Sequence, residues 1–155
     1  MWQPPKSPIG MLQEDMWPNT WKILVVCALH NQTSRKQVDK VYKKLFSKYP
    51  DPTAMASAAH DELVEIIRPL GFYNRRAHSL VRMSKDYLEK DWNHAHELYG
   101  CGKYADDCFR VLDDNKLVLF YFTASWCGPC QKIYPKIQEL SEKLSERVSC
   151  YKISI

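Results

Sequence analysis

Glycine is scarce, at five residues in 155, and no low-complexity tract is present, which excludes a collagenous or flexible-linker chain. Long apolar runs are also missing. The longest, Ile23 to Leu29, is far short of a membrane span, so no membrane partner is expected. Met1-Trp2-Gln3-Pro4-Pro5-Lys6 leads into no apolar stretch, so no secretory signal is read. The six cysteines, Cys27, Cys101, Cys108, Cys127, Cys130 and Cys150, lack the spacing of a secreted disulfide framework and fit a reducing, intracellular compartment. Only one close pair exists among them, so a four-thiolate zinc site lacks half its ligands. No metal and no cofactor is expected.

What is present is a globular composition, 45% apolar and 12% aromatic, in a length that holds one ordinary core or one large and one incomplete small core. The net charge of +4 is mild but unevenly placed. Arg35, Lys36, Lys40, Lys43, Lys44 and Lys48 crowd one stretch, and Arg68, Arg75, Arg76 and Arg82 another. Such clusters suit a phosphate backbone, or equally the solvated faces of helices.

The pattern is helical as far as Leu112. Trp21 to Leu29 reads as a buried helix behind the turn residues Pro18 and Asn19. Thr33 or Ser34 can cap a second helix through Val38, Val41, Tyr42, Leu45, Phe46 and Tyr49, stopped by Tyr49-Pro50-Asp51-Pro52. Asp61 can cap a short helix ending at Pro69 and Gly71, and Asn74 a longer one through Ala77, Leu80, Val81 and Leu88. Glu97 to Ala105 reads as a helix, a two-glycine hairpin at Gly100 and Gly102, and a new helix from Lys103 to Leu112. After Asp113-Asp114-Asn115 the pattern changes. Leu117 to Phe122 is a buried-strand run, Cys127 opens a helix through Ile133, Ile137, Leu140 and Leu144, and Val148 to Ile153 alternates like a second strand. That order is a βαβ unit.

Ser7-Pro8, Leu12-Gln13-Glu14, Trp21-Lys22, Asn31-Gln32-Thr33-Ser34, Pro69-Leu70-Gly71 and Gly100-Cys101-Gly102-Lys103-Tyr104 stand in one register. Through these residues the chain resembles the helix-hairpin-helix thymine and uracil mismatch glycosylases related to the glycosylase domain of methyl-CpG-binding domain protein 4. Such enzymes act on a base swung out of the duplex, which needs a wedge, a pocket and a grip on phosphates. By this resemblance Gln32 is the wedge that fills the gap left by the flipped nucleotide, and Leu70 with Phe72 presses on the orphaned partner. The same resemblance implies that Gln13 reads the pyrimidine edge, Tyr104 stacks on the base, and Gly100, Gly102 and Lys103 hold the backbone. Read without it, Gln32 is a capping or loop residue and Tyr104 a packing residue. His94 and His96 lie two apart, share no helical face, and read as solvent or turn residues, not ligands.

The family places a catalytic aspartate roughly twenty residues past the hairpin lysine, where it stabilises the sugar cation and activates water. In this chain that interval falls in Tyr121 to Ala124 and holds no carboxylate. Asp106 and Asp107 sit on the hairpin helix, and Asp113 and Asp114 come too early. Tyr104 also stands where lyase-competent relatives carry a lysine, so Schiff-base chemistry is not expected.

Trp126-Cys127-Gly128-Pro129-Cys130, with Pro135 beyond it, resembles the redox site of thioredoxins. Cys127, at a helix N-terminus, would be the nucleophile and Cys130, one turn on, the resolving thiol. Tyr121 occupies the place of the buried aspartate of ordinary thioredoxins and looks more like nucleoredoxins. The chain reaches Ile155 before the cis-proline loop of that family, so the expected segment is partial.

The expected organisation is mainly α: an N-terminal arm over 1–16, an incomplete HhH-GPD glycosylase domain over 17–112, a junction at 113–115 and a partial thioredoxin-like βαβ unit over 116–155. The expected function is recognition of thymine or uracil mispaired with guanine in double-stranded DNA, in the nucleus, with the glycosylase aspartate absent. The alternative is a thiol–disulfide oxidoreductase acting on a protein substrate through Cys127 and Cys130. A third reading is an artificial join of two genes.

Overall fold

The computed structural model describes residues 6, 8, 10–113, 117–123, 126–144 and 148–154. The chain divides into two compact units, Gln3–Leu112 on one side and Met1–Trp2 with Asp113–Ile155 on the other.

The larger unit is helical. It runs α1 (Leu12–Met16), α2 (Thr20–His30), α3 (Arg35–Asp39), α4 (Tyr42–Lys48), α5 (Pro52–Ala56), α6 (His60–Ile67), α7 (Tyr73–Glu89) and α8 (Lys103–Asp113). Single 3-10 turns stand at Arg68–Leu70 and Ala95–Glu97. Buried residues cover α2 on every side, Trp21, Ile23, Leu24, Val25, Val26, Cys27 and Leu29, so it is the central helix of the unit. Each such side chain contributes about 1.5–3 kcal/mol by leaving water. The one polar group this burial strands is answered locally. Trp21 Nε1 donates to Ser84 Oγ at 3.0 Å, and Ser84 Oγ donates to Leu80 O at 2.8 Å, which fastens α2 to α7.

Several boundaries differ from those read in the sequence. The helix expected from Thr33 or Ser34 to Tyr49 is two, α3 and α4, with a turn at Lys40 and Val41 between them. Val38, Val41 and Leu45 are all buried across that break, so the apolar spacing runs on although the helix does not. Ser34 is the cap, in a reciprocal box with Gln37. Asp51-Pro52, read as a stop, also starts α5. Asp51 accepts from the Ala54 amide at 2.8 Å, and proline stands in the first turn, where its missing N–H costs nothing. Asp61 and Asn74 are not caps. They lie inside α6 and α7, whose cap positions are Ala59 and Phe72, and the Asn74 carboxamide oxygen faces His60 Nε2 at 3.3 Å. Residues 12–16, assigned to an arm, form α1 and bury Leu12 and Gln13.

The smaller unit is β1 (Leu117–Thr123), α9 (Gly128–Lys143) and β2 (Val148–Ser154). The strands pair in parallel, Leu117 opposite Val148 through Thr123 opposite Ser154. Parallel pairing requires a crossover between the strands, and α9 lies in that crossover. Among the described residues α9 buries none. No helix among the described residues is long and apolar enough to cross a membrane.

Candidate functional site

Arg76 organises one face of the helical unit. It sits in the first turns of α7, 9% exposed, and its planar guanidinium donates to carbonyls from two separate loops. Nε donates to Gly71 O at 2.9 Å, Nη1 to Ala28 O at 3.1 Å and Nη2 to Asn31 O at 2.6 Å. Burial lowers its pKa from the usual value, yet a guanidinium stays charged across the physiological range. A fixed fork of donors is what three carbonyls at set angles require.

The loops that Arg76 joins are the exit of α2 and the entry to α7, and each holds a non-glycine residue in the left-handed region. Gln32 has φ 58° and Phe72 has φ 45°. That conformation costs a residue with a Cβ about 1–2 kcal/mol. It persists because the neighbours fix the chain on both sides. Before Gln32, Asn31 O is held by Arg76. After it, Thr33 bonds to Leu29 O through its hydroxyl and to His30 O through its amide, and Ser34 begins the capping box of α3. At the other loop Gly71, itself at φ 70°, donates its amide to Arg68 O.

Gln32 and Phe72 border a single cavity of about 140 Å³, whose wall also includes Asn31, Arg75, Arg76 and Gly100. Phe72 is 68% exposed although it is aromatic and sits beside the core. Leu70, grouped with Phe72 by the family resemblance, is 4% exposed and part of the core cluster. Its aliphatic side chain anchors the loop that presents Phe72. The cluster Arg68, Arg75, Arg76 and Arg82 is likewise not one phosphate-facing patch. Arg68 pairs with Glu65, Arg82 reaches Asp86 at 3.3 Å, and Arg76 is turned inward, which leaves Arg75 on the cavity wall.

A second constellation joins α1 to α8. Gln13 is 3% exposed, and its Nε2 donates to the Tyr104 hydroxyl at 2.8 Å and towards Cys27 Sγ at 3.9 Å. The Cys27 thiol hydrogen-bonds with Cys108, and that bond together with burial pushes its pKa up, so it stays protonated. Burial of the phenol end also raises the pKa of Tyr104, whose ring is otherwise half exposed. Gln13 and Tyr104, read separately as base-reading and base-stacking residues, are thus in direct contact. The donors here are neutral at ordinary pH, and the carboxamide offers a donor and an acceptor to a ligand.

The hairpin follows. Gly100, at φ 77°, borders the cavity, and a Cβ there would meet Ser79 Cβ at 3.4 Å. Gly102 precedes α8, whose first-turn lysine, Lys103, is drawn to Asp107 at 2.7 Å. A helix start with open amides beside a glycine hairpin suits an anionic oxygen. Of the interval Tyr121 to Ala124, Tyr121 to Thr123 end β1 in the other unit and Ala124 lies outside the described residues; the Tyr121 hydroxyl donates to Cys130 O. Asp106 is occupied elsewhere: its Oδ1 accepts from the Ala95 amide at 2.7 Å. Asp114 lies outside the described residues. In the smaller unit Cys127 is the N-cap of α9 and is disulfide-bonded to Cys130, Cα to Cα 5.3 Å.

Sequence reasoning gave no individual role to Asn31, quoted only within a motif, or to Arg75 and Arg76, read only as part of a basic cluster, and it did not single out Cys27 with Cys108 beside Gln13. The available signal was the arginine pair itself, since charge alone does not tell a buried clamp from a solvated contact.

A family model described as the HhH-GPD superfamily of base excision DNA repair proteins matches residues 25–147, and the chain belongs to that family. It is 38% identical over 111 residues to the methyl-CpG-binding domain protein 4-like protein of Arabidopsis thaliana, a match covering 72% of this chain and 25% of that protein. Among solved structures it resembles a thermostable thymine-DNA glycosylase, at 27% identity and a TM-score of 0.55, over 60% of this chain and 46% of that one. Its C-terminal part is 57% identical over 46 residues to the mitochondrial thioredoxin O2 of Arabidopsis thaliana, covering 30% of this chain and 28% of that protein. The chain spans 25% to 40% of the length of the glycosylase relatives it matches.

Proposed function

We propose that the helical unit binds duplex DNA in the nucleus and captures a thymine or uracil mispaired with guanine, as a reader without glycosylase turnover. The observation that carries this is the pair of left-handed residues, Gln32 and Phe72, strained on either side of one cavity and locked by Arg76. Strain held by surrounding structure clusters where a protein presents side chains to a ligand. Gln32 would enter the base stack, where its amide both stacks and hydrogen-bonds, and Phe72 would lean on the unpaired guanine. Gln13 would exchange its bond to the Tyr104 hydroxyl for the imide edge of the everted pyrimidine, with the phenol ring against the base. The hairpin amides around Gly102, with Lys103 released from Asp107, would take the phosphate.

The family names of the relatives support the DNA partner, and the missing aspartate supports the loss of turnover. The test is a pair of measurements on duplexes carrying G·U, G·T or G·C at one position. Binding should favour the mismatches at least about tenfold, the scale of one good base-edge contact, with no alkali-labile strand product under single-turnover conditions. Equal affinity for all three duplexes would sink the reader. Mismatch-specific product would instead show that another carboxylate serves, and Asp107 and Asp113 would be replaced in turn.

The closed Cys127–Cys130 pair at the start of α9 favours a second reading, a thiol–disulfide exchange site in the thioredoxin-like βαβ unit. The reduced pair would act on a protein disulfide. Cys127 thiolate attacks one sulfur and expels a thiolate, and Cys130 then displaces the second, leaving the disulfide seen in this structure and two electrons in the substrate. An external dithiol must restore the pair. Cys130→Ser should trap a mixed disulfide at Cys127 with a disulfide-bonded peptide, detectable by mass; no adduct at that cysteine rules this reading out.

A further inference from the structure

We infer that His94, His96 and Asp106 form a binding site for a divalent transition-metal cation. They are the one group of three or more potential ligands of this kind among the described residues. It stands outside both the strained cavity and the Gln13–Tyr104 pair. His94 is the cap residue of the 3-10 turn, in extended conformation at φ −125° and ψ 135°, and His96 lies within that turn. The extended cap swings the His94 ring over its neighbour, so the two imidazoles stack at 5.2 Å with planes 15° apart. Residues two apart share no face of an α-helix, but His94 is outside any helix, so these two exposed turn residues meet all the same.

Both rings aim Nδ1 at one carboxylate. His94 Nδ1 is 4.0 Å from Asp106 Oδ1 and His96 Nδ1 is 3.5 Å from Asp106 Oδ2, and all three donors lie within 4.8 Å of one another. A cation held by nitrogen and oxygen at about 2.0–2.2 Å places its ligands about 3.3 Å apart, so only small side-chain rotations separate this cluster from a bound geometry. The two imidazoles are about half exposed, so there is room for these rotations, although His94 must release the Glu97 amide to make its own. Asp106 is 7% exposed and is held by the Ala95 amide on Oδ1, so the carboxylate is a fixed anchor. Glu97 is engaged by the amides of Asn93 and His94, which shapes the turn and keeps this acid from competing as a ligand.

A divalent cation satisfies both nitrogen lone pairs and the carboxylate together, at the cost of the bond that the His94 ring accepts from the Glu97 amide. Imidazole and carboxylate select zinc, cobalt, nickel or copper over calcium and magnesium, and three protein ligands leave at least one position for water. The bound ion would tie the turn before the glycine hairpin to the first turns of α8 after it.

The test uses the full chain with Cys127 and Cys130 oxidised, stripped of metal and titrated with cobalt(II) alone. One equivalent should bind with weak visible bands and without the strong near-ultraviolet absorption of a cobalt–thiolate bond. His94→Ala with His96→Ala should weaken binding at least about tenfold, the smallest loss reported even for groups that only orient ligands, while the helical dichroism stays unchanged. Asp106→Asn, which keeps an oxygen for the Ala95 amide, should do the same. Thiolate absorption, unchanged affinity in the double histidine variant, or no saturable binding below millimolar metal would each overturn the site.

Discussion

Two helices of nearly equal length behave in opposite ways. α7 has 17 residues and α9 has 16, and both carry apolar residues at three- and four-residue spacing. α7 buries Ala77, Leu80 and Met83, with the polar Arg76, Ser84 and Asp86 among them, against α2, α5 and α6. α9 leaves Ile133 49% and Leu140 53% exposed, and Trp126 ahead of it 82% exposed. The difference is in what surrounds them. Three other helices pack on α7, whereas the sheet beside α9 has two strands. Amphipathic spacing therefore names the face of a helix that is apolar, and the neighbouring elements decide whether that face leaves water.

The sharpest way to break this comparison is to remove one large side chain from each region. Trp21→Ala should destabilise the helical unit by about 3–5 kcal/mol, because the indole is fully buried and its bond to Ser84 is lost with it, while Ser84 keeps its bond to Leu80 O. Ile133→Ala should change stability by no more than about 0.5 kcal/mol, as for exposed positions in general. Denaturant unfolding followed by dichroism measures both. Equal effects would mean that α9 has a covering this structure does not show.

Arg76 comes next, since it joins the end of α2 to the entry of α7 and has no ion-pair partner among the described residues. Arg76→Met should cost about 2–4 kcal/mol, because the carbonyls of Asn31 and Gly71 lose the guanidinium donor and Ala28 O keeps only the Asn31 amide. It should also weaken mismatch selectivity, as the loops that carry Gln32 and Phe72 then lose the side chain that joins them. A variant that unfolds at the wild-type denaturant midpoint would show that the loops hold themselves.

A third test lies at the far end of α7. Burial alone would raise the Asp86 pKa, but the Lys90 ammonium at 2.8 Å, the Tyr99 amide at 3.0 Å and Arg82 overcome it and hold the carboxyl below its usual value. A lowered folded-state pKa adds stability above the unfolded value, near 4 for aspartate, and loses it as pH falls through the folded one. Asp86→Asn should cost about 1–3 kcal/mol at pH 7 and flatten the acid limb of the stability profile below about pH 4. A variant with an unchanged acid limb would assign that loss to other carboxylates.

Much of this was legible in the residues, and the failures share a cause. α2 was readable because an unbroken apolar run needs burial on all sides, and β1 because its composition changes abruptly after Asp113-Asp114-Asn115. The split between α3 and α4 was not, since a turn at Lys40 and Val41 keeps Val38, Val41 and Leu45 on one face. Gln13 and Tyr104 came from a family resemblance, but their mutual hydrogen bond depends on how α1 meets α8, which no local spacing encodes. The same holds for Arg76, whose three carbonyl partners come from two loops distant in sequence. His94 and His96 were legible as exposed turn residues, but the stacking of their rings beside Asp106 was not, because it depends on the extended backbone at His94.

The smallest change in stability should come with a large change in binding. Gln32→Gly and Phe72→Gly each relieve a left-handed residue of its Cβ, worth about 1–2 kcal/mol, while glycine returns about 1 kcal/mol of freedom to the unfolded chain. The net effect on folding should thus lie between zero and about 1 kcal/mol of stabilisation. Both substitutions remove the side chains that border the cavity, so affinity for G·U and G·T duplexes should fall to that for G·C. Ordinary loop residues would lose neither, and strained core residues would lose stability when cut back. Denaturation and duplex binding measured on the same two variants separate these cases, and a loss of stability above about 1 kcal/mol in either would mean that its side chain serves the fold rather than the cavity.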